Sequence, residues 1–185
     1  MHSRRDWILG TLGVIGWREI AAAQQHAHDS VNAGGAGHFE TLDPGTAADI
    51  AAIASQILPS DDGPGAAEAG VVYFIDRALG TFDAGRREEY QKGMAAVQDK
   101  RRALFPDSTN VASLPPAKQI ELIRAIEATE FFELLRTHTL MGFLGNPSYG
   151  GNRDKVGWKY IDFDDRMAFQ PPFGYYDAEL LKGAK

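Results

Sequence analysis

The stretch from Thr129 to Leu144 leaves few folds open to this chain. Phe131, Leu134, Leu135, His138, Met141 and Gly142 recur at helical spacing. Phe132, Leu140, Phe143 and Leu144 put apolar groups on the remaining faces. A helix that is apolar nearly all round must be surrounded by other elements, so the rest of the domain has to wrap it. The character then changes at once. Gly145, Asn146, Pro147, Gly150 and Gly151 punctuate the next segment, with Tyr149, Trp158 and Tyr160 interleaved among charges. A Gly- and aromatic-rich loop fixed to a buried helix is the place to look for function.

Four more helices are predicted before it. Asp43 is a suitable N-cap with Pro44 at the first helical position, and Ile50, Ile53, Ala54 and Ile57 form a stripe that ends at Pro59. Ser60 to Gly65 is an acidic turn. Asp61 and Asp62 lack the remaining ligands of a calcium loop, so turn chemistry accounts for them. A second helix is expected from Ala66 to Leu79, with Asp83 capping a third over Ala84–Leu104. Tyr90, Met94, Val97 and Leu104 are that helix's core stripe; its other face, Arg101 included, reads as solvated mixed charge. The fourth starts near Pro115-Pro116 and turns Ile120, Ile123 and Ile126 inward. No strand or repeat is evident. The expected fold is all-α: an irregular bundle of about five helices with a long Gly/aromatic-rich C-terminal loop and an extended tail.

Outside that domain, residues 1–23 have the order of an export leader. Ser3, Arg4, Arg5 and Trp7 resemble a twin-arginine signal, although Trp7 stands where Phe is commoner and Leu9 where Lys is frequent. The apolar run to Trp17 is too short to span a bilayer, and Ala21-Ala22-Ala23 offers a small-residue cleavage site. A periplasmic location follows as an expectation, reached by the twin-arginine pathway, which carries folded cargo. Residues 24–39 read as a flexible tether, in which His26, His28 and Asp29 make a poor metal site because ordering the chain opposes binding. Residues 40–163 make the helical domain. Residues 164–185 form an extended tail whose Phe169, Pro171, Pro172, Phe173, Tyr175 and Tyr176 suit a strap laid across another subunit.

Charge narrows the partners. The 185 residues carry a net charge of −6, and removing residues 1–23 leaves 16 basic against 23 acidic side chains. Nucleic acid and anionic membrane surfaces both require a basic footprint, so neither is expected. With no cysteine, the chain has no disulfide, no thiolate metal site and no covalent haem of its own. No nucleophile motif, phosphate loop or nucleotide fingerprint occurs, and no metal site is expected. His138 is the one candidate general base on a core helix, with Arg136, Thr137, Thr139 or a loop carbonyl as expected partners; a satisfied core histidine is the plainer reading. The glycines beside Tyr149 and Asn152 suit either an anion-binding nest or a tight turn against the helix.

The run His138-Thr139-Leu140-Met141-Gly142-Phe143-Leu144, then Asn146-Pro147-Ser148-Tyr149-Gly150-Gly151-Asn152, then Val156-Gly157-Trp158, resembles the gluconate 2-dehydrogenase subunit 3 family. The similarity extends from about Leu42 to Phe163. These are small subunits of membrane-associated sugar dehydrogenases. The resemblance implies a large FAD-containing partner of the glucose–methanol–choline class, with a c-type cytochrome as an optional further subunit and membrane contact only through the complex. It places FAD and sugar chemistry in the large subunit and leaves this chain non-catalytic, serving export, folding and stability. Asn146, Pro147, Tyr149, Gly150, Gly151, Asn152, Trp158 and Phe163, with the tail aromatics, are then the expected partner interface. The alternative is a stand-alone exported carbohydrate-binding protein or small enzyme, with Trp158 and Tyr149 stacking on sugar.

Overall fold

A computed structural model of the chain describes residues 38–166, 168 and 174. The leader residues Ser3, Arg4, Arg5 and Trp7, the tether histidines, and the tail residues Phe169, Pro171, Pro172, Phe173, Tyr175 and Tyr176 lie outside them. Within them the fold is all-helical, and no strand occurs among the described residues. Six α-helices run in order: α1 (Pro44–Ile57), α2 (Val71–Gly80), α3 (Arg87–Leu104), α4 (Pro116–Arg124), α5 (Glu130–Leu144) and the short α6 (Val156–Tyr160). One 3-10 turn precedes α3, and two divide the segment between α5 and α6. None of these helices is long and apolar enough to cross a membrane.

The helix starts follow from local chemistry. Asp43 Oδ1 accepts from the Thr46 N–H at 2.9 Å, with Pro44 opening α1. Thr129 does the same for Phe132 at the start of α5. As its composition demands, α5 sits at the centre: it packs most heavily on α2 and also meets α1, α3 and α6. Leu135, His138, Thr139, Gly142 and Phe143 form its buried face, and most of its other side chains are half-covered. Ile50, Ile53, Ile75, Leu79, Leu122 and Val97 close the core around it.

A buried carboxylate ties down the N-terminal edge. Asp76, on α2 and fully buried, accepts the backbone N–H groups of Glu40, Thr41 and Leu42 at 2.7–2.9 Å. These charge-assisted bonds fix the segment leading into α1 against α2.

Four expectations are corrected. Helix α2 begins at Val71 rather than Ala66, because left-handed Gly70 separates it from the turn before. Asp83 gives no side-chain cap to the following helix; its carboxylate is held by His138 instead. Arg101 is buried while Leu104 is exposed, since the Arg101 guanidinium reaches the Ser108 carbonyl and hydroxyl and the Gln98 side chain. In α4, Gln119 and Leu122 are buried and Ile120 is exposed. The Gln119 amide donates to the Leu114 carbonyl at 2.9 Å and accepts from Gln56 at 2.8 Å, so polar satisfaction outweighed the apolar period.

Candidate functional site

Every α-helix ends with carbonyls that have no partner inside it. At the C-terminus of α5 the Gly- and aromatic-rich segment supplies those partners by folding back over the helix end. Gly145 N–H donates to the Met141 carbonyl and Asn152 N–H to the Gly142 carbonyl, both at 2.7 Å. The Trp158 indole N–H donates to the Leu144 carbonyl at 2.6 Å. Asn152 is the clasp. Its side-chain N–H donates to the Gly145 carbonyl and its oxygen accepts from Gly157 N–H, each at 2.9 Å. It is fully buried and adopts left-handed φ 45°, a conformation that Asn tolerates better than most residues.

Two glycines make that approach feasible. A Cβ at Gly151 would lie 2.2 Å from the Gly142 carbonyl oxygen, and one at Gly157 would lie 1.9 Å from that of Phe143. Only hydrogen fits at either place. The block from Asn146 to Trp158 is therefore a fitted cap, and of the two readings of its glycines the tight turn against the helix describes the geometry. Its backbone donors are turned inward: Asn152 N–H goes to the Gly142 carbonyl, Gly150 N–H to the Pro147 carbonyl and Gly157 N–H to the Asn152 side chain.

The cap sorts the expected interface residues. Gly150, Gly151 and Asn152 are buried; Asn146 is exposed, and Pro147, Tyr149 and Trp158 are half-buried. The Tyr149 ring meets Phe82 edge-on at 5.8 Å, and burial raises the pKa of its hydroxyl. Trp158 packs against Phe163 with ring centroids 5.0 Å apart. Each ring thus has an intramolecular partner. Exposed apolar surface lies just beyond the cap: Tyr160, Ile161 and Phe163 are 58%, 51% and 51% exposed. The sequence reading left Tyr160 and Ile161 out of the expected interface, although both stand in the apolar- and charge-mixed run Trp158-Lys159-Tyr160-Ile161-Asp162-Phe163.

His138 is 3% exposed and occupied at both nitrogens. Nδ1 lies 2.8 Å from the Tyr90 hydroxyl and Nε2 lies 2.8 Å from Asp83 Oδ2. The partners expected from adjacent positions are spent elsewhere: Arg136 pairs with Glu133, and the Thr139 hydroxyl donates to the Leu135 carbonyl. Neighbours in a helix point to different faces, which is why the true partners come from α3 and the turn before it. Burial, reinforced by the charges of Asp83 and Glu89, pushes the Tyr90 hydroxyl pKa up, so it stays protonated. The hydroxyl faces Nδ1 and the Asp83 carboxylate accepts from Nε2–H, so the ring is held between α3 and the turn before it. No ring nitrogen is left for a substrate, and His138 is a core staple in this arrangement.

One open groove of about 530 Å³ runs between the anchored residues 40–46 and α3, lined by Glu40, Leu42, Asp43, Arg87, Tyr90 and Met94 among others. Glu40 and Asp43 put carboxylates on its wall, and the Arg87 guanidinium donates to the Leu79 and Gly80 carbonyls. Among the described residues, no three His, Asp or Glu side chains gather as a metal site.

A family model described as gluconate 2-dehydrogenase subunit 3 matches residues 45–164, more than half of the chain. The match takes in α1 through α6 and the whole cap over α5. No curated protein and no solved structure matches the chain.

Proposed function

The chain belongs to the gluconate 2-dehydrogenase subunit 3 family, and from that premise we propose that it is the non-catalytic small subunit of a periplasmic, FAD-dependent sugar or polyol dehydrogenase. In this reading the large subunit, of the glucose–methanol–choline class, holds FAD and receives the substrate's hydride. A c-type cytochrome is the optional next carrier. The small chain provides the twin-arginine leader, crosses the membrane folded with its partner, and keeps the large subunit folded and stable.

The observation that carries the non-catalytic assignment is the fate of the most distinctive residues. Asn152, Gly151, Gly157 and Trp158 are consumed in closing the end of α5. His138, the one candidate base, has both nitrogens committed. What the domain offers outward is a helical body with Tyr160, Ile161 and Phe163 exposed just past its cap. That is what a subunit with a structural rather than a chemical task requires.

The test is export and recovery of the partner. A large subunit without its own signal is produced with this chain, with this chain carrying Arg4→Lys and Arg5→Lys, or alone. The reading predicts a one-to-one complex in the periplasm in the first case and cytoplasmic large subunit in the other two. A large subunit that reaches the periplasm and holds FAD equally well without this chain contradicts it.

A further inference from the structure

We propose that Asp62 is a site of spontaneous backbone modification, at which the Asp62–Gly63 link isomerises to isoaspartate. The chemistry needs an aspartate whose following amide nitrogen can reach its own side-chain carboxyl, and a glycine there leaves that nitrogen least hindered. Asp62–Gly63 is the one Asp–Gly pair in the 185 residues, and no Asn–Gly pair occurs.

Sequence alone offers a second candidate, and the structure separates the two. Asp107–Ser108 also sets an exposed aspartate before a small residue. Its Ser108 N–H, however, donates to the Phe105 carbonyl at 3.0 Å, so the nitrogen is held away from attack. Asp62 is exposed, and Gly63 N–H has no acceptor among the described residues. Asp43 precedes a proline, which has no amide proton, and Asp76 is buried with both oxygens engaged.

The step balances with water alone. The Gly63 nitrogen attacks Asp62 Cγ and closes a five-membered succinimide; the amide proton and the carboxyl hydroxyl leave as water. Water then adds at the Asp62 main-chain carbonyl, the original peptide C–N bond breaks, and Gly63 stays joined through the side-chain carbonyl. Composition is unchanged, and the backbone gains one methylene.

The turn has little room for it. Ala66 N–H donates to the Leu58 carbonyl at 2.9 Å, and Glu68 Oε2 accepts from the Ser60 hydroxyl at 2.6 Å and Gly65 N–H at 2.9 Å. Both ends are thus pinned, and a Cβ at Gly65 would lie 2.5 Å from the Leu58 carbonyl oxygen. The extra length therefore falls on Gly63, which lies against the Tyr160 ring: a Cβ there would sit 2.3 Å from it. Tyr160 meets Phe143 of α5 edge-on, with ring centroids 6.4 Å apart. Isomerisation lifts Gly63 off Tyr160 and removes one support of α6.

The experiment holds full-length chain warm at neutral pH and follows every aspartate-containing peptide by chromatography with mass detection. Isoaspartate is confirmed by enzymatic methyl transfer. A new Asp62 peptide of unchanged mass should accumulate about tenfold or more faster than at Asp107, since the Ser108 hydrogen bond alone accounts for up to roughly that factor. Asp62→Glu, whose ring closure would need six members, should form no such product at this position. The converted fraction should lose the nuclear Overhauser contact between Gly63 Hα and the Tyr160 ring that fresh protein shows. The comparison of sites is made within the wild-type chain, so it stands whether or not the variant folds. Conversion at Asp107 as fast as at Asp62 overturns the proposal, as does an intact Asp62 over a period in which the urea-unfolded chain converts. A Gly63–Tyr160 contact unchanged in the converted fraction overturns the link to α6.

Discussion

His138 Nδ1 lies 2.8 Å from the hydroxyl of Tyr90, a residue on another helix, and the two side chains close the core between α3 and α5. Tyr90→Phe leaves Nδ1 buried without its hydrogen-bond partner, and a loss of about 1–3 kcal/mol in urea denaturation is expected. The same variant carries a pH signature. Folding raises the Tyr90 pKa above its ordinary value near 10, so the folded state holds a proton that the unfolded state releases. Its contribution is complete below pH 10 and falls as pH rises above it, by about 1.4 kcal/mol per pH unit. Wild type should lose more stability than Tyr90→Phe between pH 9.5 and 11. Parallel curves would refute the assignment.

Asn152 does two separable things: it makes the bonds of the clasp and it adopts positive φ. Asn152→Gly removes the bonds alone, and a cost of about 2–3 kcal/mol is expected. Asn152→Ala adds the strain of a side chain in the left-handed region, about 1 kcal/mol more. Thermal denaturation of the pair should place alanine below glycine. The reverse order would show that the conformation is not what Asn supplies.

Gly157 is expected to be among the least replaceable positions. A methyl there meets the Phe143 carbonyl, a backbone atom that cannot swing aside. Gly157→Ala should cost about 3 kcal/mol, the upper end for overpacking, and should open the cap so that Trp158 fluorescence shifts to the red. Gly85→Ala, where nothing lies within 4 Å, is the control and should be neutral or slightly stabilising. Equal effects at the two positions would contradict the fitted cap.

Asp76 alone receives three consecutive backbone N–H groups. Asp76→Ala should speed amide exchange at Glu40, Thr41 and Leu42 at least tenfold, with a stability loss of about 3 kcal/mol. Asp76→Asn, which keeps one acceptor oxygen, should fall between. Unchanged exchange at these amides would mean that other contacts hold the segment.

How much of this was legible depended on distance along the chain. The starts of α1 and α5 were readable because Asp43 and Thr129 act on residues three positions away. The central place of α5 was readable from its composition, as was the family from the block around Tyr149-Gly150-Gly151-Asn152. The partners of His138 were not, because Tyr90 is 48 positions away and only packing brings it near. Periodicity misled where long polar side chains compete for the core. Arg101 and Gln119 took buried positions by satisfying loop carbonyls, and Leu104 and Ile120 were turned out. The cap itself was visible only as a Gly-rich turn, since its meaning lies in the carbonyls it covers.

Following flavin and turnover together separates a structural subunit from a self-sufficient enzyme. The full-length chain is purified alone and in complex with a large subunit, and the absorbance near 450 nm and sugar oxidation with an artificial electron acceptor are recorded for each. No flavin band and no turnover are expected for the isolated chain, and both for a one-to-one complex. Sugar oxidation by the isolated, monodisperse chain would contradict the structural role.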